Sequence, residues 1–180
     1  MKIIYTKFKG LVVIKQKKHK DIRGYLRETY RKNIIKSKEL IFDYATTSKK
    51  KVLRGFHFQS KFKQAKLISV LKGKILDCVV DLRKSSKTFG NSFSIELSEK
   101  NCISLYVPEG FAHAYYSFSN LNIIYYKLSN YYHPKFEDGI VWNDKSLKVK
   151  WPIKKPIISK KDKKLKTFSE FKKIYKNLWT

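Results

Sequence analysis

The sequence predicts an all-β fold, a sandwich or barrel of short strands with peripheral helices, and three observations carry that prediction. Runs of β-formers recur at regular spacing, turn signals separate them, and helical periodicity appears in only two places. In chain order, ETYRKNIIKSK (28–38) has the pattern of a short helix. VLRGFHFQ (52–59) reads as a strand whose alternation sends Phe56 and Phe58 to one face and His57, with Gln59, to the other. KLISVL (66–71) is a second strand. KILDCVVDLR (74–83) is a third, with Asp77 and Asp81 on the same face as Ile75 and Val79, so a carboxylate lies among apolar side chains and needs a partner. SFSIEL (92–97), CISLYV (102–107), HAYYSFS (113–119) and NIIYYKLS (122–129) have the same character, punctuated by GK, SEKN, PEG and SNL. Ser159-Lys-Lys-Asp162 has the form of a capping box, and Phe168, Phe171, Ile174 and Leu178 follow at helical spacing, which predicts a C-terminal helix.

A chain of 180 residues with 42% hydrophobic content fits one domain, 1–180, and argues against disorder. Its 41 Lys+Arg against 14 Asp+Glu give a formal charge of +27, yet only Arg23, Arg27, Arg31, Arg54 and Arg83 are Arg. A Lys excess dresses a surface more than it reads bases, so no specific nucleic-acid partner is expected. The Lys-rich stretch beyond residue 163 reads as a solvated helix or tail, with polyanion binding as the alternative. No stretch approaches the ~18 apolar residues of a membrane span, and Lys breaks the N-terminus too often for a secretory signal. A soluble, cytoplasmic protein is expected. Cys78 and Cys102 match neither a disulfide framework nor a metal spacing and read as buried thiols.

Chemistry-bearing residues concentrate in two segments. Arg54 and His57 stand three apart in one strand, and Lys66 opens the next. Pro108-Glu109-Gly110-Phe111-Ala112-His113 brings a second His just beyond a turn, and the form P-x-G-x-x-H is the second half-motif of the cupin barrel, a small jelly roll. Metal-binding cupins usually bring an H-x-H pair and a Glu, whereas this chain has His57-Phe58-Gln59. A metal site is poorly supplied, which shifts His57 from ligand toward base.

Taken together, the motifs become specific. Asp21-Ile22-Arg23-Gly24-Tyr25 with Glu28, VLRGFHFQ (52–59), QAKLISVLKGKILDCVVDLRKSSKTFG (64–90), LSEKN (97–101), PEGFAH (108–113), YKLSNYY (126–132) and GIVWND with WP (139–144, 151–152) occur in one order. Over about 21–162 the chain resembles the dTDP-4-dehydrorhamnose 3,5-epimerase family, metal-independent nucleotide-sugar epimerases of cupin fold.

The resemblance implies a nucleoside-diphosphate 4-keto-6-deoxysugar as substrate, no cofactor, and a homodimer. The carbons flanking the ketone lose and regain a proton, which calls for a base on one face, an acid on the other and cations at the enolate oxygen. By position, His57 resembles the base and Asp162 the carboxylate that holds its imidazole, with an N3 capping role as the alternative for Asp162. Tyr126 resembles the acid. Lys66 and Arg54 match the cations beside the ketone, with His113 alongside, Asp77 as the partner of His113 and Gln59 in the substrate pocket. Arg23, Tyr25 and Glu28 match residues that hold the diphosphate and base, and Tyr131 the ring that stacks on thymine. The chain departs from the family at Phe42 and Tyr44, where Gln and Asn are commoner, and at Ala114, commonly Gly. Two rivals stay open: a single-centre epimerase of the same family, and a non-catalytic cupin that binds sugar or nucleic acid.

Overall fold

The computed structural model describes residues 1–180 apart from Ile34, Lys36, Ser37, Asn177 and Thr180. Thirteen strands are described: β1 (Lys2–Tyr5), β2 (Val12–Lys15), β3 (Lys18–Asp21), β4 (Gly24–Arg27), β5 (Phe42–Ser48), β6 (Leu53–Gln59), β7 (Lys66–Lys72), β8 (Lys74–Asp81), β9 (Ser92–Ser98), β10 (Ile103–Val107), β11 (Phe111–Ser117), β12 (Asn122–Leu128) and β13 (Glu137–Gly139). They form a six-stranded sheet, order β1-β2-β10-β7-β12-β5, a five-stranded sheet, order β13-β6-β11-β8-β9, and a separate β3-β4 hairpin, every pair antiparallel. From β5 to β8 each strand crosses to the other sheet, and β10 to β12 do so again, which is the winding of the predicted jelly roll.

Alternation decides what each face buries. Ile75 and Val79 of β8 and Phe111 and Tyr115 of β11 meet Ile68, Val70, Leu105 and Ile124 of the other sheet in the central core. The opposite face of the five-stranded sheet is also covered. Phe56, Phe58, Cys78 and Val80 pack there against Phe168 and Phe171 of the helix α1 (Phe168–Ile174). Burial on both faces explains why β6 and β8 read as nearly unbroken apolar runs.

Two helical expectations are corrected. Among the described residues of 28–38 there is no helix; Tyr30 and Ile35 pack on the core instead. So short and largely polar a segment lacks the packing face that would repay helix nucleation. The C-terminal helix exists, but its capping box is Thr167-x-x-Glu170: Thr167 Oγ1 accepts from the Glu170 N–H (3.2 Å) and Glu170 Oε2 from the Thr167 N–H (2.7 Å). At the expected box, Ser159 Oγ does accept from the Asp162 N–H (2.9 Å), but only a 3₁₀ turn, Asp162–Lys164, follows, and the Asp162 side chain turns elsewhere. Ile174 is exposed, and Tyr175 takes its expected place beside Phe171 and Phe58.

Candidate active site

A cavity of about 200 Å³ opens between the two sheets, so its walls come from different strands. The five-stranded sheet contributes Arg54 and His57 from β6 and His113 and Tyr115 from β11; the six-stranded sheet contributes Tyr44 from β5, Lys66 from β7 and Tyr126 from β12.

The first wall depends on Gly55. Its φ of +111° and the 2.4 Å at which a Cβ would meet the His113 carbonyl oxygen allow only glycine, because β6 lies so close to β11 there. The Gly55 N–H donates to Asp162 Oδ2 (3.1 Å), and Asp162 Oδ1 lies 2.9 Å from His57 Nε2. Burial alone would raise the Asp162 pKa, but the hydrogen bonds from His57 and Gly55 and the His57 charge outweigh it and hold the carboxyl below its ordinary value. An ionised carboxylate fixes Nε2 as the protonated nitrogen and leaves Nδ1 as the base.

The facing wall holds the opposite kind of group. Tyr126 is buried, its ring stacked on Tyr44 (5.0 Å between centroids, 28°) and edge-on to His113 (6.0 Å). Burial foremost, then the neighbouring Tyr115 and Tyr44, pushes its pKa well above 10, so the phenol keeps its proton. Its hydroxyl hydrogen-bonds to none of the described residues, and neither does the Lys66 ammonium, which forms no ion pair among them. Burial lowers the Lys66 pKa, partly offset by the charges of Glu137 and Asp77. An unpaired, partly buried cation in the cavity wall suits a charge that appears only during reaction.

On the five-stranded sheet, Asp77 Oδ2 lies 2.8 Å from His113 Nε2, so the inward carboxylate has its expected partner. Burial raises the Asp77 pKa against the opposing pull of His113 and Lys66. Arg54 lines the cavity while donating to Ser48 Oγ (3.2 Å) and the Thr47 carbonyl (3.1 Å). Gln59 also lines it, but its amide is spent on backbone: it donates to the Phe62 and Tyr131 carbonyls and accepts from the His133 N–H (2.6 Å), tying two loops together.

Asp77 and Asp162 stand behind the histidines they hold, and four expected substrate-binding residues stand outside this cavity. Arg23 is exposed and paired with Asp21, Tyr25 lies under the Lys18 ammonium (3.9 Å), and Glu28 is paired with Arg31, all on or just after the β3-β4 hairpin. Tyr131 rests its ring against Phe42 (5.6 Å), and its neighbour Tyr132 lines the cavity instead. Among the lining residues that the sequence reading did not single out is Glu137 of β13, which accepts from Tyr132 Oη (2.9 Å) and from Lys161. Burial works against its charge, but Lys161, His57 and Tyr132 together lower its pKa. Its only sequence signal is a lone Glu-Asp pair just before GIVWND. Among the described residues no group of three or more His, Cys, Asp or Glu is placed to hold a metal ion.

A carboxylate-oriented imidazole on one wall, with a neutral phenol and an unpaired lysine on the other, in a cupin-type jelly roll, define an acid–base isomerase. Comparison with known proteins makes the assignment narrower. The family model for dTDP-4-dehydrorhamnose 3,5-epimerase matches residues 5–170, and the chain belongs to that family, the carbohydrate epimerases among isomerases. The enzyme of that name from Methanothermobacter thermautotrophicus is 37% identical over 176 residues, 94% of this chain and 95% of its own. The structure of dTDP-6-deoxy-D-glucose-3,5-epimerase from Legionella pneumophila, in complex with dTDP-4-keto-L-rhamnose, superposes with a TM-score of 0.90 at 35% identity, covering 93% of each chain. That of dTDP-4-dehydrorhamnose 3,5-epimerase from Bacillus anthracis, with TDP and PPi bound, gives 0.89 at 36%, covering 93% of this chain and 99% of that one.

Proposed function

We propose that this chain inverts carbons 3 and 5 of a dTDP-4-keto-6-deoxyhexose, in the route to an activated rhamnose-type sugar, in the cytoplasm and without metal or organic cofactor. The observation that carries the reading is the placement of His57 and Tyr126 on facing walls of one cavity. His57 Nδ1 takes the proton from a carbon beside the ketone, and the bonding electrons move onto the ketone oxygen as the C–C double bond of the enolate forms. Lys66 and His113 hold that oxygen as its charge grows. Tyr126 then gives its proton to the opposite face of the same carbon, the double bond closes back to a ketone, and the configuration is inverted. The imidazolium and the phenolate return to their starting states by exchange with water.

The same reading extends to a homodimer. Arg23, Tyr25 and Glu28 resemble the family's nucleotide-holding residues, yet none lines the cavity of its own chain, and Ile22 and Leu26 beside them are exposed. We propose that this hairpin serves the cavity of a second copy.

Proton NMR in deuterated water tests the function. With dTDP-4-keto-6-deoxyglucose, deuterium enters at carbons 3 and 5 and the inverted product accumulates, unaffected by EDTA; the His57→Ala variant loses both. No exchange by the wild-type protein, or activity abolished by EDTA and restored by a divalent ion, would overturn the reading.

A further inference from the structure

The mechanism leaves the Tyr44 hydroxyl without a task. Tyr44 lies directly across from Tyr126 in the β5–β12 ladder, so the two phenols project side by side from neighbouring strands. Their rings stack, and both line the cavity. The remaining phenols there are committed, since Tyr115 Oη bonds to Ser48 (2.8 Å) and Thr46 (3.3 Å) and Tyr132 Oη to Glu137. The Tyr44 hydroxyl alone among the lining residues other than Tyr126 is a phenol with no hydrogen bond to any described residue. Burial foremost, then the Glu137 charge, pushes its pKa up to about 12, so it is a proton donor throughout the working pH range.

Resting on the function proposed above, the sugar's own hydroxyls are the acceptors left to such a donor, since Lys66 and His113 take the ketone oxygen. In a 4-keto-6-deoxyhexose joined through carbon 1 to a diphosphate, carbon 4 is the ketone and carbon 6 a methyl, so free hydroxyls remain only at carbons 2 and 3. The oxygen on carbon 3 swings across the ring plane when that carbon inverts, whereas the one on carbon 2 keeps its side. A phenol held in place by a ring stack can serve only the second through the whole reaction. We infer that Tyr44 is a specificity-determining residue, donating a hydrogen bond to the sugar's 2-hydroxyl and selecting substrates that carry one. A contact kept from ground state to transition state contributes uniform binding, so its loss shows in KM rather than kcat.

The test is Tyr44→Phe, which keeps the stacked ring and removes only the hydroxyl. With the parent dTDP-4-keto-6-deoxyhexose, kcat/KM falls roughly three- to tenfold, the range of one neutral hydrogen bond, with kcat within about twofold and the melting temperature unchanged. With the 2-deoxy analogue, wild type and Tyr44→Phe perform alike, because the partner oxygen is gone. Unchanged kcat/KM for the parent substrate, or the same penalty on the 2-deoxy analogue, would overturn the inference while leaving the epimerase reading intact. A wild-type protein that turns over neither sugar would instead overturn the epimerase reading itself.

Discussion

Replacing Asp162 by Asn removes a charge while keeping the shape. In the native site the carboxylate lies 2.9 Å from His57 Nε2 and 3.1 Å from the Gly55 N–H. An amide can accept from only one of these with its single oxygen. If it keeps Gly55, its NH₂ faces His57 and favours the imidazole tautomer with the lone pair on Nε2, so Nδ1 carries a proton and is no base. The loss is that of a charge-assisted hydrogen bond, about 1.5–3 kcal/mol, and at about 1.36 kcal/mol per decade kcat/KM falls by roughly one to two orders of magnitude. The assay is turnover by product NMR, with the rate of solvent deuterium entry measured separately, since exchange reports the base alone. Both fall together, and the melting temperature drops far less than for deletion of the side chain, because the amide still fills the site. Deuterium entry within threefold of wild type would refute the argument, because an unoriented His57 would then abstract the proton as well as an oriented one.

Tyr126→Phe separates the two half-reactions: His57 still exchanges deuterium at the carbons beside the ketone, while inverted product nearly disappears, and inversion at the wild-type rate would place the acid elsewhere. Gly55→Ala forces a Cβ to within 2.4 Å of the His113 carbonyl oxygen and 2.7 Å of Ala114 Cα at a φ of +111°, so urea unfolding shows a loss of roughly 2–5 kcal/mol; a loss below 1 kcal/mol would contradict the close approach of β6 and β11. Asp81, Glu137, Asp138 and Asp162 all have pKa values lowered on folding, each held down by hydrogen bonds against the cost of burial. Their contribution to stability is therefore complete above the ordinary carboxylate values of 3.8 and 4.5 and is lost as pH falls through the lower folded values, while Asp77, raised by burial, works the other way. In an Asp77→Asn background, where only the lowered groups remain, the urea midpoint declines steadily below about pH 4.5, and a midpoint that holds or rises there would count against these ion pairs.

What the sequence made legible follows from how local each signal is. Alternation in β6 and β8 is a property of adjacent residues, so it put His57 opposite Phe56 and Phe58, and Asp77 among apolar neighbours, before any contact was known. The partners 36 residues apart, Asp77 and His113, and 105 apart, Asp162 and His57, came only with the family resemblance, because no local pattern encodes which strands meet. Glu137 stayed hidden since a three-residue edge strand has too little length to alternate. Tyr131 and Tyr132 are adjacent, and only the path of the loop, tied down by Gln59, chooses which ring reaches the cavity. Arg23, Tyr25 and Glu28 could be recognised as a motif, but a hairpin standing off the sandwich gives no sequence sign of whose cavity it faces.

The support behind His57 sets a timetable for the making of the molecule. Phe58, the next residue, is gripped by Phe171, Tyr175 and Trp179, with ring centroids 5.2 to 5.5 Å away, and Asp138, paired with Phe58 across the ladder, binds Lys166 and Tyr175. On a ribosome adding about 5–20 residues per second, roughly 5 to 20 seconds separate His57 from Asp162, and the aromatic grip follows later still. Throughout that interval β6 emerges with two phenylalanines uncovered and its histidine without an orienting carboxylate. In a nascent chain His57 thus gains its orienting carboxylate first, and β6 stays uncovered on its Phe58 side until residues 171–179 have followed.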